Sequence, residues 1–155
     1  MRQGVRIALD WGDTRIGVAA CDADGVLAYP VTVARAGHEE IADLIAIITD
    51  YEPIEVFVGL PRSLSGSEGP AALKARERAV RLAGAVRVPV RLVDERLTTV
   101  TASRRLSEGG KRAKEQRKLI DAAAAVTILE QALAFEQSQG KPPGELVSGN
   151  PRASQ

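Results

Sequence analysis

Four acidic residues stand where carboxylates can act together. Asp10 ends the apolar run in IALDWGD, Asp94 and Glu95 follow the run in PVRLVDE, and Asp121 lies in KLIDAAAAVTIL. Carboxylates gathered without histidine or cysteine form a hard oxygen ligand set, suited to Mg2+ or Mn2+ rather than zinc. Two such ions about 3.5–4 Å apart can lower the pKa of an attacking water and stabilise the oxygen leaving a phosphodiester. Each acid also has a plainer reading. Asp10 can accept hydrogen bonds from the Gly12 or Asp13 amides of a tight turn. Asp94 can cap the following segment or pair with Arg96, and Asp121 can simply favour the positive end of a helix. Spacing alone leaves both readings open. The single histidine, His38, opens a predicted helix away from these acids. The single cysteine, Cys21, reads as a small core residue.

Positioning these acids requires a sheet edge. Residues 5–10, 16–21 and 26–34 read as an antiparallel meander, with turns at Gly12 and at DADG (22–25). His38 to Glu52 carries Ile41, Leu44, Ile45 and Ile48 at helical spacing. IEVFVGL (54–60) reads as a strand buried on both faces, Pro70 to Ala83 as a helix, and PVRLVD (89–94) as the last strand. Thr98 or Thr99 can cap a helix that runs to about Glu108 and stops at Gly109-Gly110. A long helix then starts near Lys114, with Ile120, Ala124, Ile128 and Leu129 as its buried stripe. This order predicts an α/β fold. Its mixed five-stranded sheet combines a three-strand meander with two parallel strands, and helices cover both faces. Asp10 and the Asp94-Glu95 pair then share one edge, about 10 Å apart across one intervening strand. Ala122 to Ala125 have little bulk and let the last helix approach the sheet, carrying Asp121 toward Asp10. Residues 1–140 are expected to form one domain, and 141–155 (KPPGELVSGNPRASQ) a flexible tail.

Charge distribution narrows the partners. The chain of 155 residues carries a net charge of only +1. Yet Arg104, Arg105, Lys111, Arg112, Lys114, Arg117 and Lys118 face only Glu108 and Glu115 in one stretch, a local +5. Such a segment points to an anion-binding face. Leading directly to Asp121, it reads as a contact for a nucleic-acid backbone, salt-sensitive and largely blind to sequence. Arg96 can serve the same phosphates or pair with a carboxylate. The loop PRSLSGSEG (61–69) offers Arg62 and the hydroxyls of Ser63 and Ser65, or is an ordinary surface connection. An aromatic content of 3% argues against reading bases by stacking. No apolar run approaches the roughly 18 residues of a membrane span. The opening MRQGVRIALDWGD meets charges too early for a signal peptide, so a cytoplasmic protein with no membrane partner is expected.

Four stretches, ALDWGDTRIGVA (8–19), VGLPRSLSGSEG (58–69), VDERLTT (93–99) and IDAAAAVTIL (120–129), together resemble the YqgF/RuvX family. Its members are described as Holliday junction resolvases and as pre-16S ribosomal RNA nucleases. All four occur in the family's order, and the resemblance covers roughly residues 5–135. It implies an RNase H-like fold and a nuclease dependent on Mg2+ or Mn2+. Its implied catalytic and metal-holding residues are Asp10, Glu95 and Asp121. Asp94 is the other candidate for the second position, but adjacent strand residues face opposite sides and the longer glutamate better spans the gap. The implied substrates are a precursor ribosomal RNA, a DNA junction or a single strand, with roles in ribosome biogenesis or in recombination and repair. A homodimer would match a two-fold symmetric junction. Two local departures are Trp11 and Arg62, the latter at a position often apolar in relatives. The alternative function is a non-catalytic nucleic-acid-binding or assembly module on the same fold. Asp10-Trp11-Gly12 also resembles the phosphate hairpin of actin-like ATPases, but those need a second such domain and this chain has room for one.

Overall fold

Strand pairing follows the apolar segments in turn. The computed structural model describes residues 1–63, 65–95 and 113–148, apart from the side chains of 113–121. The meander is β1 (Arg6–Trp11), β2 (Arg15–Cys21) and β3 (Ala28–Arg35). Then come α1 (Glu40–Tyr51), β4 (Glu55–Leu60), α2 (Pro70–Ala85), β5 (Val90–Asp94), α3 (Ala113–Gln139) and β6 (Glu145–Val147). The sheet order is β3-β2-β1-β4-β5-β6. β1 pairs antiparallel with β2 and parallel with β4, and β4 pairs parallel with β5. This is the expected mixed α/β sheet. The predicted helix over 98–108 lies outside the described residues.

The strand count needs correction from five to six. Glu145–Val147, within the segment expected to be a flexible tail, pairs antiparallel with β5. Gly144 makes the approach possible: its φ is 72°, and a Cβ there would collide with the Leu92 carbonyl oxygen. An ion pair of 2.7 Å between Arg76 and Glu145 ties β6 to α2. Three residues beside Pro142-Pro143-Gly144 are too few to display an alternating pattern.

Two apolar layers sandwich the sheet. Ile7, Leu9 and Trp11 of β1 join Val56, Val58 and Leu60 of β4 against Leu44 and Ile48 of α1 and Ala72, Ala75, Ala79 and Leu82 of α2. Pro70 begins α2 at a position where a missing N–H costs nothing. Its buried alanines let the helix lie close to the strands. On the other face, Ala8, Ala19, Phe57 and Val93 meet Ala125, Ile128, Leu129, Ala132 and Leu133 of α3. Burying a side chain such as Ile128 or Leu129 contributes about 1.5–3 kcal/mol. Among the described residues no helix is long and apolar enough to cross a membrane.

Candidate active site

Parallel register brings the C-terminal ends of β1, β4 and β5 to one edge. Leu9 is level with Val58, and Gly59 with Val93. The Glu95 N–H donates to the Leu60 carbonyl at 3.2 Å, which continues the ladder past β5. Ala8, Phe57 and Val93 all belong to the α3-side layer. Two residues further along each strand, alternation puts Asp10, Gly59 and Glu95 on that same side. A Cβ added to Gly59 would lie 2.6 Å from Glu95 Oε2 and 2.8 Å from Ile128 Cδ1. The Glu95 carboxylate therefore lies across the space that glycine leaves open.

Electrostatics mark this carboxylate as unsatisfied. Glu95 Oε2 is buried without a hydrogen-bond partner. Burial first, then the negative charges of Asp10 and Asp94, push its carboxyl up to about 8. An unpartnered buried oxygen beside a second carboxylate is costly. A hard divalent cation would offset both charges and accept the free oxygen, so these residues fit Mg2+ or Mn2+. Asp94 turns elsewhere, with its Oδ2 at 3.9 Å from Arg62 Nη1. The Gly12 amide, one of the turn donors offered to Asp10, instead donates to the Arg15 carbonyl at 2.8 Å.

Asp121 sits in α3 four residues before Ala125 and seven before Ile128, but its side chain lies outside the described set. Among the described residues no three His, Cys, Asp or Glu form a metal-holding group. The described part of the site is thus Asp10 with Glu95.

A cleft of about 390 Å3 opens over the edge. Glu95, Gly59 and Pro61 line it from the strand ends, Gly12 and Asp13 from the β1–β2 hairpin, and Pro70, Lys74 and Arg78 from α2. Arg78 donates to the Trp11 carbonyl at 3.0 Å and to Asp13 Oδ1 at 2.7 Å. Lys74 Nζ lies 3.5 Å from the same oxygen. The Arg78 hydrogen bond and the Lys74 charge hold the Asp13 carboxyl below its ordinary range. Sequence reasoning missed Lys74 and Arg78. Their signal was the four-residue spacing of two cations on the predicted helix over 70–83.

The expected phosphate-binding loop is turned upon itself. Ser63 Oγ lies 2.8 Å from Ser65 Oγ and 2.7 Å from Ser67 Oγ. Arg62 pairs with Glu68 at 3.3 Å, and Glu68 pairs in turn with Arg76 at 2.7 Å. Arg96, Arg104, Arg105, Lys111 and Arg112 lie outside the described residues. Lys114, Arg117 and Lys118 fall in the first part of α3, and their side chains are likewise outside that set.

The family model for RuvX, described as Holliday junction resolvase, matches residues 4–135. A Streptomyces coelicolor protein is 56% identical over 153 residues, covering 95% of this chain and 90% of the relative. One from Streptomyces avermitilis is 54% identical, covering 95% and 96%. One from Thermobifida fusca is 49% identical over 159 residues, covering 97% and 100%. All three carry the provisional name pre-16S rRNA nuclease. Among solved structures, Thermus thermophilus RuvC aligns with a TM-score of 0.51 at 20% identity, covering 92% of this chain and 99% of that one. RuvC in complex with a Holliday junction aligns at 0.52 and 17%, with the same coverage. At those identities the likeness speaks for a shared RNase H-like fold.

Proposed function

The chain belongs to the RuvX family, and on that premise we propose that it is a divalent-metal-dependent nuclease hydrolysing phosphodiester bonds in structured nucleic acid. The observation that carries this reading is the unpartnered, buried Oε2 of Glu95, held over Gly59 and beside Asp10. Asp10, Glu95 and Asp121 are the residues that would hold the metal. When bound, Mg2+ or Mn2+ supplies the positive charge that lowers a water's pKa and offsets charge on the reacting phosphate. Glu95 contributes a buried oxygen aimed into the site, and Asp10 the neighbouring carboxylate. Arg78 holds the Trp11 carbonyl and so steadies the end of β1 on which Asp10 sits. Arg62, Ser63, Ser65, Arg96 and the basic stretch from Arg104 to Lys118 are assigned to backbone phosphates beyond the site.

The name shared by the relatives favours precursor 16S rRNA as substrate, with cleavage at its 5′ end in the cytoplasm as the proposed event. The family description favours a four-way DNA junction, for which a homodimer would present two sites. One experiment separates these arms. Purified wild type is given precursor 16S rRNA, a four-way junction and a linear strand, each with Mg2+ and with Mn2+. Cleavage of at least one substrate is expected, and its loss in Asp10→Asn and in Glu95→Gln, both still folded. Undiminished cleavage by Asp10→Asn would overturn the site. A wild type that cuts none of the three would leave a nucleic-acid-binding module.

A further inference from the structure

Lys74 and Arg78 stand one helical turn apart on α2, and both line the cleft that holds Glu95 and Gly12. Their partner is the Asp13 carboxylate, 68% exposed at the tip of the β1–β2 hairpin. Arg78 is only 19% exposed, and its second contact to the Trp11 carbonyl fixes the guanidinium in place. The contrast matters. The cation is anchored, whereas the anion it holds is a short side chain standing in solvent. Asp13 is already largely solvated, Lys74 is exposed, and Arg78 keeps its Trp11 carbonyl contact, so handing these cations from one anion to another costs little. A phosphodiester oxygen offers a guanidinium and an ammonium the same charged acceptor that a carboxylate does.

We infer that Lys74 and Arg78 form a clamp for a nucleic-acid backbone phosphate entering the cleft beside Glu95, and that Asp13 occupies the clamp until the phosphate displaces it. The clamp rests on the nuclease reading only in requiring a nucleic-acid ligand. It needs no metal. Asp13 acts as an internal competitor: binding is set by how far the backbone phosphate outdoes one tethered carboxylate. Removing the competitor and removing the clamp must therefore move affinity in opposite directions.

The test is equilibrium binding in EDTA, where no metal-dependent cleavage interferes. A fluorescent 30-nucleotide single-stranded RNA and a four-way DNA junction are titrated, and the tighter of the two is followed across salt concentration. Lys74→Gln and Arg78→Gln are each expected to weaken binding about fivefold at 0.1 M salt and to reduce the slope of log affinity against log salt by about 0.7–0.9, the share of one phosphate contact. Asp13→Asn is expected to tighten binding several-fold. Lys74 is exposed and has only Asp13 as a described partner, so its variant reports on the clamp even if Arg78→Gln perturbs the hairpin. Wild-type binding left unchanged by both glutamine variants, or equal or weaker binding by Asp13→Asn, overturns the clamp alone. Shifts as expected without cleavage under any metal overturn the nuclease reading alone. No binding to either ligand overturns both.

Discussion

Gly59 is defined by the atom it lacks. A methyl group there would stand 2.6 Å from Glu95 Oε2 and 2.8 Å from Ile128 Cδ1, closer than such contacts tolerate. Both atoms are side-chain tips and both must shift; Ile128 is confined by the α3-side core, so Glu95 makes the larger move. Gly59→Ala is therefore expected to keep the fold but swing the carboxylate away from Asp10. Cleavage should fall at least about tenfold, as misplacing a reacting group by an ångström does, with weaker Mn2+ binding by calorimetry. Activity equal to wild type would show that Glu95 does not work from this position. Asp10 and Glu95 were legible in the sequence because an acid ending an apolar run is conspicuous. Strand alternation also separated Asp94 from Glu95, and the two do diverge, Asp94 toward Arg62. The demand for glycine at 59 was not legible, because it arises from the register of three strands with a helix above them.

Among the elements, β6 was hidden and the other strands were not. The runs forming β2 and β4 are apolar on both faces over five or more residues, β1 and β5 each carry three buried aliphatic or alanine residues in a short span, and the boundaries of all four fell within one or two positions of those read from pattern. β6 has three residues and takes its identity from β5. It also completes a chain of charges from the 61–69 loop: Arg62 to Glu68, Glu68 to Arg76, and Arg76 to Glu145. That chain explains why Arg62, read as a phosphate ligand, faces carboxylates in the free protein. Gly144 is the hinge of this arrangement, with its φ of 72° and the Leu92 carbonyl where a side chain would begin. Gly144→Ala should detach β6 and destabilise the domain by about 2 kcal/mol. For a chain of this size that lowers the melting temperature by about 4–8 °C. A melting curve identical to wild type would mean that β6 contributes nothing to the fold.

Across the whole molecule, the two ends of the parallel strands treat buried charge in opposite ways. At the C-terminal ends, Glu95 is short of a partner. At the N-terminal ends, Arg6 is wholly buried and pairs with Glu136 at 2.8 Å, Arg2 bridges Glu136 and Glu55, and Arg91 binds Glu55 at 2.7 Å. Nothing in the local sequence pattern pairs these residues, since up to 134 positions separate the partners. Burial alone would raise the Glu136 carboxyl. The hydrogen bonds from the Arg2 side chain and backbone, with the charges of Arg6 and Arg2, outweigh it and hold the group at about 2. Against an ordinary value of 4.5, the folded state binds the proton more weakly than the unfolded one. The stabilisation is therefore complete above pH 4.5 and is lost as pH falls toward 2. Glu136→Gln removes the carboxylate and leaves buried Arg6 without its charged partner, which should cost about 3 kcal/mol at pH 7. Urea unfolding of wild type and variant should show that gap at pH 7, a narrowing gap through pH 4 and 3, and coincidence near pH 2. A gap that stays constant across this range would assign the loss to packing rather than to the ion cluster.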